Sequence, residues 1–404
     1  MSSRKLISLL LLVFLFCFIS GCWDRRELEE TGFVLALGLD SAPEDKISVT
    51  LQIAVPANLA PVGGGGGDGL PVIVETIEGK TLDQALRLFH TFTDRRLSYS
   101  HNKIIVVGEE LAERGIEKEL DLFTRHREMR RNVLMMVAKG KAEEFLKIVP
   151  QQERNPAQYL ENLARLSSLT GVAPKIILHN FVLDYGMPGV DPITPLLKQE
   201  RTKPEENQEE GQQNQGEEAG SKEITKLNLA GTAIFKGSNK IGELNMTETQ
   251  GLLFLRGQIN QAVINIPDPE NATEQISLAL TSASRRVETK FHRGQVVFDI
   301  SIIVEADLRQ VEGRINYVTP KGLQILQNNL NKQVEKEIRL AINKCQKEYQ
   351  VDSIGLGEKV RETMSYDQWA KYNWREKFPE AKINVQVKSY IRRVGMTFRP
   401  LNSH

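Results

Sequence analysis

The N-terminal segment is the feature that most limits the class of protein this chain can be, because it has the layout of an export signal that ends at a cysteine. A short basic start precedes residues 6–19, which are almost entirely aliphatic or phenylalanine. Ser20-Gly21-Cys22 follows, with small residues directly before the cysteine, as in a lipobox. We therefore expect cleavage between Gly21 and Cys22, which leaves Cys22 as the first residue of the mature chain.

The expected modification of Cys22 is an N-palmitoyl, S-diacylglycerol cysteine. A single acyl chain gives only marginal membrane binding, whereas several chains, at about 0.8 kcal/mol per buried methylene, hold a protein stably. The alternative is an uncleaved membrane anchor. The apolar run is shorter than the roughly 20 residues that span a bilayer, so we favour a lipid-anchored protein outside the cytoplasmic membrane.

Cysteine usage fits an exported chain without disulfides. The chain has three cysteines. Cys17 lies inside the signal and Cys22 is the acylation site, so only Cys345 remains in the mature domains. These domains must then be stabilised by hydrophobic cores, which a chain of this length can form. Cys345 falls on the apolar side of a predicted helix, where a cysteine behaves as a small apolar residue.

The charge balance excludes a generally basic or acidic protein. The chain carries 52 basic and 52 acidic residues, so its formal net charge is zero. This balance gives no electrostatic reason to bind nucleic acid or acidic lipid. Membrane attachment is therefore expected to come from the lipid on Cys22.

The chain is too long for one core, and its length predicts two or three domains. Residues 198–226 are rich in Glu, Gln and Asn and nearly free of apolar side chains, so they are expected to form a flexible linker. Residues 63–67 are five glycines without a following Gly-Lys-Ser/Thr, which predicts a surface loop and no phosphate site. We expect a signal peptide over 1–21, an N-terminal mixed α/β domain over 22–197, the linker over 198–226, a small middle α/β domain over 227–265 that N-terminal segments can complete, and a C-terminal α+β domain over 266–404.

The hydrophobic periodicity predicts a mixed α+β fold with helices covering the sheets. Before the linker, strands alternate with helices, one of them expected as a single amphipathic helix over 109–127. After the linker, hairpins lead to an antiparallel sheet. Thr319 and Pro320 then cap one long amphipathic helix, whose apolar stripe runs from Leu323 to Cys345. A short helix is expected near Thr247.

No catalytic, cofactor or metal motif is recognisable. His90, His101 and His126 lie on different elements, without the i, i+4 spacing of a helical metal site. A nucleophile elbow is absent from the sequence. Asp352 precedes two glycines, but it lacks the further acidic ligands of an EF-hand. We therefore expect no catalytic residue, metal or cofactor, and no enzyme.

One aromatic cluster lies near the C-terminus, at Tyr366, Trp369, Tyr372 and Trp374. It has two interpretations: packing around Phe378, or a partner-binding surface, where Trp and Tyr are enriched. We expect Trp374 in the core and Trp369 more exposed. Trp369 and Tyr366 are then the candidate partner surface.

Several ordered motifs resemble those of a known family. They are residues 21–28 (GCWDRREL), 36–40 (ALGLD), 100–110 (SHNKIIVVGEE), 125–130 (RHREMR), 231–236 (GTAIFK) and 352–357 (DSIGLG). This series is similar to the Ger(x)C, or GerAC-like, spore germination lipoproteins, the C subunits of nutrient germinant receptors.

The resemblance implies a three-domain, non-enzymatic lipoprotein on the outer face of the spore inner membrane. It would act with an integral-membrane A subunit and a transporter-like B subunit to convert nutrient binding into release of ions and dipicolinic acid. Whether the chain contacts the nutrient is left open. The alternatives are a solute-binding lipoprotein of a transporter and a membrane-tethered hydrolase. The first predicts two similar α/β lobes, and the second needs a catalytic constellation.

Overall fold

The strands of this protein form two β-sheets, one of nine strands and one of four. The computed structural model describes residues 30–55, 71–150, 153, 155–167, 169–202 and 224–395. The fold is the expected mixture of α and β elements, with a long helix in the C-terminal half. The predicted signal peptide, Cys22 and the glycine loop at 63–67 lie outside the described residues.

The nine-stranded sheet has a parallel centre and antiparallel flanks. Its order is β3-β2-β1-β5-β6-β7-β8-β9, and the short β4 pairs with β1. The central strands β5 and β6 are buried along their whole length, because helices cover both faces of the sheet. The strand bounds are Thr31–Ala42 (β1), Lys46–Ala54 (β2), Val72–Gly79 (β3), Arg96–Ser98 (β4), Ile104–Gly108 (β5), Leu134–Ala138 (β6), Ile193–Thr202 (β7), Ile224–Lys236 (β8) and Asn239–Leu244 (β9).

Six helices surround this sheet in the part of the chain that the structure describes. They are Leu82–Leu88 (α1), Glu109–Arg114 (α2), Glu117–Arg125 (α3), Ala142–Leu146 (α4), Pro156–Ser167 (α5) and Leu178–Gly186 (α6). The prediction of one helix over 109–127 was wrong. Gly115 has φ +108°, a conformation that ends α2, and a second helix begins at Glu117.

The four-stranded sheet has the order β10-β11-β12-β13. Its strands are Ala262–Pro267 (β10), Gln275–His292 (β11), Gln295–Val311 (β12) and Lys382–Arg393 (β13). The expected antiparallel pairing holds for β10 to β12, but β13 runs parallel to β12. The sheet is therefore mixed, because the long helix returns the chain to the end at which β12 began.

The helices of the C-terminal half include the predicted long one. They are Met246–Arg256 (α7), Pro320–Ile342 (α8), Leu356–Arg361 (α9), Tyr366–Lys371 (α10) and Trp374–Lys377 (α11). Thr319 Oγ1 accepts the N–H of Gly322, as expected of an N-cap. Helix α7 is capped by Asn245 and Glu248, and this N-cap lies two residues before Thr247, near which the helix was predicted. Cys345 is buried, which raises the pKa of its thiol.

One hydrophobic core runs between the two sheets. Phe235 of β8, Phe254 of α7, Phe298 of β12 and Ile338 of α8 belong to the same cluster of buried side chains. A second core, with Phe145 of α4 among its members, fills the other face of the large sheet. The two halves of the protein therefore share buried apolar surface, which is the main favourable term in their association.

The predicted linker connects two neighbouring strands of one sheet. Lys198 of β7 faces Asn228 of β8, and Thr202 faces Ile224, in an antiparallel ladder. The first and last residues assigned to the linker are therefore strand residues, and residues 203–223 lie outside the described part. The division into domains stays a prediction. Among the described residues, no helix combines the length and apolar character needed to cross a bilayer.

Candidate functional site: a buried polar joint

Asp352 is the centre of a buried polar cluster between the two halves of the protein. It is 3% exposed and lies just before α9. Its Oδ1 accepts the N–H groups of Gly355 and Leu356 at 2.8 and 3.1 Å. Its Oδ2 accepts the N–H of Gly357 at 2.6 Å. The carboxylate therefore satisfies N–H groups that would otherwise be unpaired at the start of the helix.

A fourth donor reaches the same carboxylate from a different helix. The indole Nε1 of Trp374 donates to Oδ2 of Asp352 at 2.9 Å. Burial raises the pKa of Asp352 to about 6, and the hydrogen bonds from Trp374 and the three backbone N–H groups oppose this rise. Asp352 is therefore ionised at neutral pH, with its oxygens occupied by donors from the chain itself.

Asp191 extends the cluster into the nine-stranded sheet. Its Oδ2 accepts the backbone N–H of Asp352 at 3.1 Å, and its own N–H donates to the Asp352 carbonyl at 3.0 Å. Its Oδ1 accepts from Gly237, in the β8–β9 turn, and from Nη2 of Arg375 at 3.1 and 3.0 Å. Asp191 is buried. This residue therefore joins three segments that are far apart in the sequence.

Arg256 makes a second connection beside the first. From the end of α7, its Nη1 donates to the Ser353 carbonyl at 2.7 Å. Its Nη2 donates to Oδ2 of Asp184, in α6, at 2.6 Å. The arginine and the aspartate are 9% and 19% exposed, so this ion pair is largely screened from water. We call the set Asp184, Asp191, Arg256, Asp352 and Trp374 the polar joint.

Two glycines permit the close approach that the polar joint needs. A Cβ on Gly189 would lie 2.9 Å from atoms of both Trp369 and Trp374. A Cβ on Gly357 would lie 2.2 Å from the Gly189 carbonyl oxygen and 2.5 Å from Nε1 of Trp374. Any larger residue at Gly357 would therefore push the indole away from Asp352.

The aromatic residues divide between core and surface as expected. Trp374 is buried and lies edge-on to Phe298, with ring centroids 5.9 Å apart. Trp369 is half-buried and stacks on Tyr372, with centroids 6.3 Å apart. Tyr366 is 87% exposed. The candidate partner residues Trp369 and Tyr366 therefore lie on one short helix at the surface, next to the polar joint.

The predicted cleavage and lipidation site lies outside the residues that the structure describes. Gly21 and Cys22 precede the first described residue. His90, His101 and His126 lie in separate segments, and no group of three metal-ligating side chains occurs among the described residues. Neither Asp191 nor Arg256 was predicted as a functional residue. Asp352 does not fit an EF-hand, but an Asp shortly before a glycine-rich helix start is a signal for a side chain that accepts N–H groups of the first turn.

Two family models match the chain in order. Residues 24–199 match the model described as "Spore germination protein N-terminal domain". Residues 230–395 match the model described as "Spore germination B3/ GerAC like, C-terminal". The chain belongs to the GerAC-like family of spore germination proteins. The unmatched stretch between the two models falls largely on the predicted linker.

Relatives of known name match over nearly the full length of this GerAC-like chain. Spore germination protein KC of Bacillus subtilis (strain 168) is 29% identical over 414 residues, which cover 98% of each chain. Spore germination protein B3 of the same organism is 25% identical over 389 residues, covering 95% of this chain and 96% of the relative. A crystal structure of the GerBC protein is similar in fold, with a TM-score of 0.54 at 21% identity, covering 88% of this chain and 96% of that one.

The GerAC-like motifs have structural roles in this protein. Oδ1 and Oδ2 of Asp40 accept the N–H groups of Ala142 and Glu143 at 2.7 and 2.9 Å. A Cβ on Gly108 would lie 1.9 Å from Oδ1 of Asp40, so only glycine leaves room for this carboxylate. Asp352 begins another of these motifs. The motifs therefore identify positions at which segments are joined.

Proposed function

We propose that this protein is a lipid-anchored, non-enzymatic subunit of a spore nutrient germinant receptor. It would act with an integral-membrane A subunit and a transporter-like B subunit at the outer face of the spore inner membrane. The observation that carries the proposal is the ordered match of two spore germination family models over residues 24–199 and 230–395. The lipobox at Ser20-Gly21-Cys22 supports the membrane anchor.

The polar joint supports a connecting role for the chain. A carboxylate that already accepts four N–H donors, as Asp352 does, has little capacity left to bind a substrate. Its hydrogen bonds hold α9 and Trp374 in place, and the contact with Asp191 ties them to the large sheet. Such a cluster fixes the position of the two halves relative to each other. This rigidity suits a subunit that holds its partner proteins in a defined arrangement.

The arrangement of the two sheets argues against a solute-binding lipoprotein. Such a protein needs two similar lobes that open and close on a hinge. Here the sheets have nine and four strands with different topologies. A continuous core that includes Phe235 and Phe298 joins them, and opening it would expose buried apolar surface. These features favour a single rigid body.

The exposed aromatic helix supports a partner surface near the polar joint. Tyr366 is largely exposed on α10, and Trp369 covers Gly189 from the same helix. Large aromatic side chains at a surface are typical anchors of protein interfaces. We therefore propose that Tyr366 and Trp369 contact a membrane subunit of the receptor. The membrane anchor raises the effective concentration of such a partner, so this contact can be small.

Deletion of the gene in its native spore former tests the proposed function. Spores that lack the protein should fail to release dipicolinic acid in response to at least one nutrient, while a non-nutrient trigger still germinates them. The wild-type gene should restore the response. A Cys22→Ala copy should restore it poorly, because its product would lack the lipid. Normal germination of the deletion strain with every nutrient that triggers the parent strain would contradict the proposal.

A further inference from the structure

Several segments meet at the edge of the large sheet where its parallel strands begin. Thr31, at the start of β1, pairs with Arg96 of β4. The N–H of Leu134, which begins β6, donates to the Lys103 carbonyl just before β5. The rings of Tyr99 and His126 pack edge to face with centroids 5.4 Å apart. We call residues 92–103 and 126–133, together with Thr31 and the start of β3, the leading edge.

The leading edge carries an excess of positive charge. Its two segments contain five arginines and two carboxylates, although the whole chain is electrically balanced. Four of the arginines are exposed and Arg95 is half-exposed. None of the five forms an ion pair within the described part of the chain. These residues are Arg95, Arg96, Arg127, Arg130 and Arg131. They are free to bind anionic groups from outside the protein.

Exposed apolar side chains lie beside Arg95, at one end of the leading edge. Phe92 is 76% exposed and Ile73, at the start of β3, is 50% exposed. Both line a groove of about 340 Å³, together with Ile53 and Leu97. Arginines flanking an exposed phenylalanine are the combination found at the interface between water and a lipid bilayer, where the ring enters the headgroup region.

The tether to the proposed anchor is short. Thr31 follows Cys22 by nine residues. Nine residues span at most about 30 Å when fully extended. Strand β1 has 12 residues, so at about 3.3 Å per residue its far end is roughly 35 Å beyond its start. A lipid on Cys22 would therefore hold the leading edge within about 30 Å of the membrane.

We propose that the leading edge is a second membrane-contact site that binds anionic phospholipid headgroups. The arginines would contact lipid phosphates while Phe92 enters the interface. This inference rests on the proposed lipid anchor for orientation, but the charge and the exposed ring do not depend on acylation. A basic residue near an anionic bilayer raises binding about fivefold. Together with the anchor, this contact would fix the orientation of the protein at the membrane.

Vesicle binding by the unlipidated mature chain, Cys22→Ser, tests the inference without the anchor. This chain should co-sediment with vesicles that contain phosphatidylglycerol, and 0.5 M salt should weaken the binding. Replacing Arg127, Arg130 and Arg131 with Gln should reduce binding at least tenfold. All three are exposed, so this variant should melt at the same temperature as its parent.

A matched control variant loses the same three positive charges at a surface away from the leading edge. Arg286, Arg309 and Arg361 are exposed in the C-terminal half, and their replacement with Gln should leave vesicle binding unchanged. Equal loss in both triple variants would overturn the inference, as would equal binding to vesicles of phosphatidylcholine alone. Unchanged vesicle binding with reduced co-purification of membrane proteins would also overturn it, and would assign the leading edge to a protein partner.

Acylation of Cys22 is tested separately from the second membrane contact. Intact-mass analysis of the wild-type protein from spore membranes reports acylation of Cys22 directly. If the wild-type chain is acylated but the Cys22→Ser chain binds neither kind of vesicle, the second membrane contact is rejected. The proposed function is then unaffected. An unacylated chain that still needs its arginines to bind anionic vesicles would reject the anchor and retain the contact.

Discussion

The indole Nε1 of Trp374 donates a 2.9 Å hydrogen bond to Oδ2 of Asp352, 22 residues earlier in the chain. This contact attaches the C-terminal aromatic segment to the start of α9. The backbone N–H of Asp352 also donates to Oδ2 of Asp191, and the backbone N–H of Asp191 donates to the Asp352 carbonyl, so the same residue connects that segment to the large sheet. Asp352 thus links α9, the C-terminal aromatic segment and the large sheet of this GerAC-like protein.

Asp352→Ala should destabilise the protein by about 3–5 kcal/mol, because it leaves several buried N–H donors without an acceptor. Urea unfolding followed by circular dichroism measures the change. Asp367→Ala, at an exposed carboxylate of α10, is the control and should change stability by less than about 0.5 kcal/mol. Equal unfolding midpoints for the two variants would refute the role given to Asp352.

Trp374→Ala should cost roughly 3–5 kcal/mol, as expected for the loss of a large aromatic side chain from a core. Trp374→Phe keeps a ring but loses the donor to Asp352, so it should cost about 1–3 kcal/mol. Tyr366→Ala should have little effect, since this ring is exposed. Thermal melts of the three variants check this order, and a fully stable Trp374→Ala protein would show that the assignment to the core is wrong.

Gly251→Ala should separate α7 from α8. A Cβ at this position would lie 2.1 Å from the Glu337 carbonyl oxygen, so the two helices must move apart. Gly186→Ala is a matched control, because no atom lies within 4 Å of its Cβ position and its φ is ordinary. We expect a loss of several degrees in melting temperature for the first variant only. Similar melting temperatures would contradict the close helix contact.

Glu337 should make stability depend on pH. It is buried, and Oε2 has no hydrogen-bond partner in the described part of the protein. Burial raises the pKa of Glu337 from 4.5 to about 7, against the hydrogen bond from Gln333. The folded protein therefore keeps a proton that the unfolded chain releases between pH 4.5 and 7. Across this window, the titration of Glu337 should lower the free energy of unfolding by about 3 kcal/mol as the pH rises.

Glu337→Gln removes this titration, so the unfolding midpoint should fall less between pH 4.5 and 7 than it does in the wild type. Part of the slope should remain, because the pKa of Asp352 is also raised. Glu335→Gln, on the same helix and half-exposed, should retain the wild-type slope. Urea titrations at several pH values between 4.5 and 8 provide the comparison. A Glu337→Gln protein whose stability falls with pH as steeply as that of the wild type would disprove the assignment.

The sequence predicted local elements wherever the apolar period was regular. The stripe from Leu323 to Cys345 indicated α8 and the π-helical turn Asn343–Glu348 that continues it, and Thr319 indicated the start of the helix. The apolar period predicted a helix that is too long where a backbone conformation ends it, as at Gly115 with its positive φ. Strand β11 extends to His292, but none of its residues after Leu280 is buried, so its second half has only a weak apolar alternation.

The polar joint could not be predicted in the same way. Asp191 and Asp352 are 161 residues apart, and neither has a neighbouring pattern that indicates the other. Their contact follows from the return of the chain to the large sheet after α8, which is a property of the topology. Likewise, the balance of charge over the whole chain conceals the local excess of arginines at the leading edge, since segments far apart in sequence meet there.

Affinity purification from detergent-solubilised spore inner membranes tests the central claim most directly. A tag on this protein should recover an integral-membrane subunit and a transporter-like subunit, identified by mass spectrometry. Recovery should fall for Cys22→Ala spores, in which the protein is no longer held at the membrane. Recovery of an ATPase and a permease would instead show a transporter's solute-binding protein. Recovery of no membrane subunit from wild-type spores would contradict the receptor assignment.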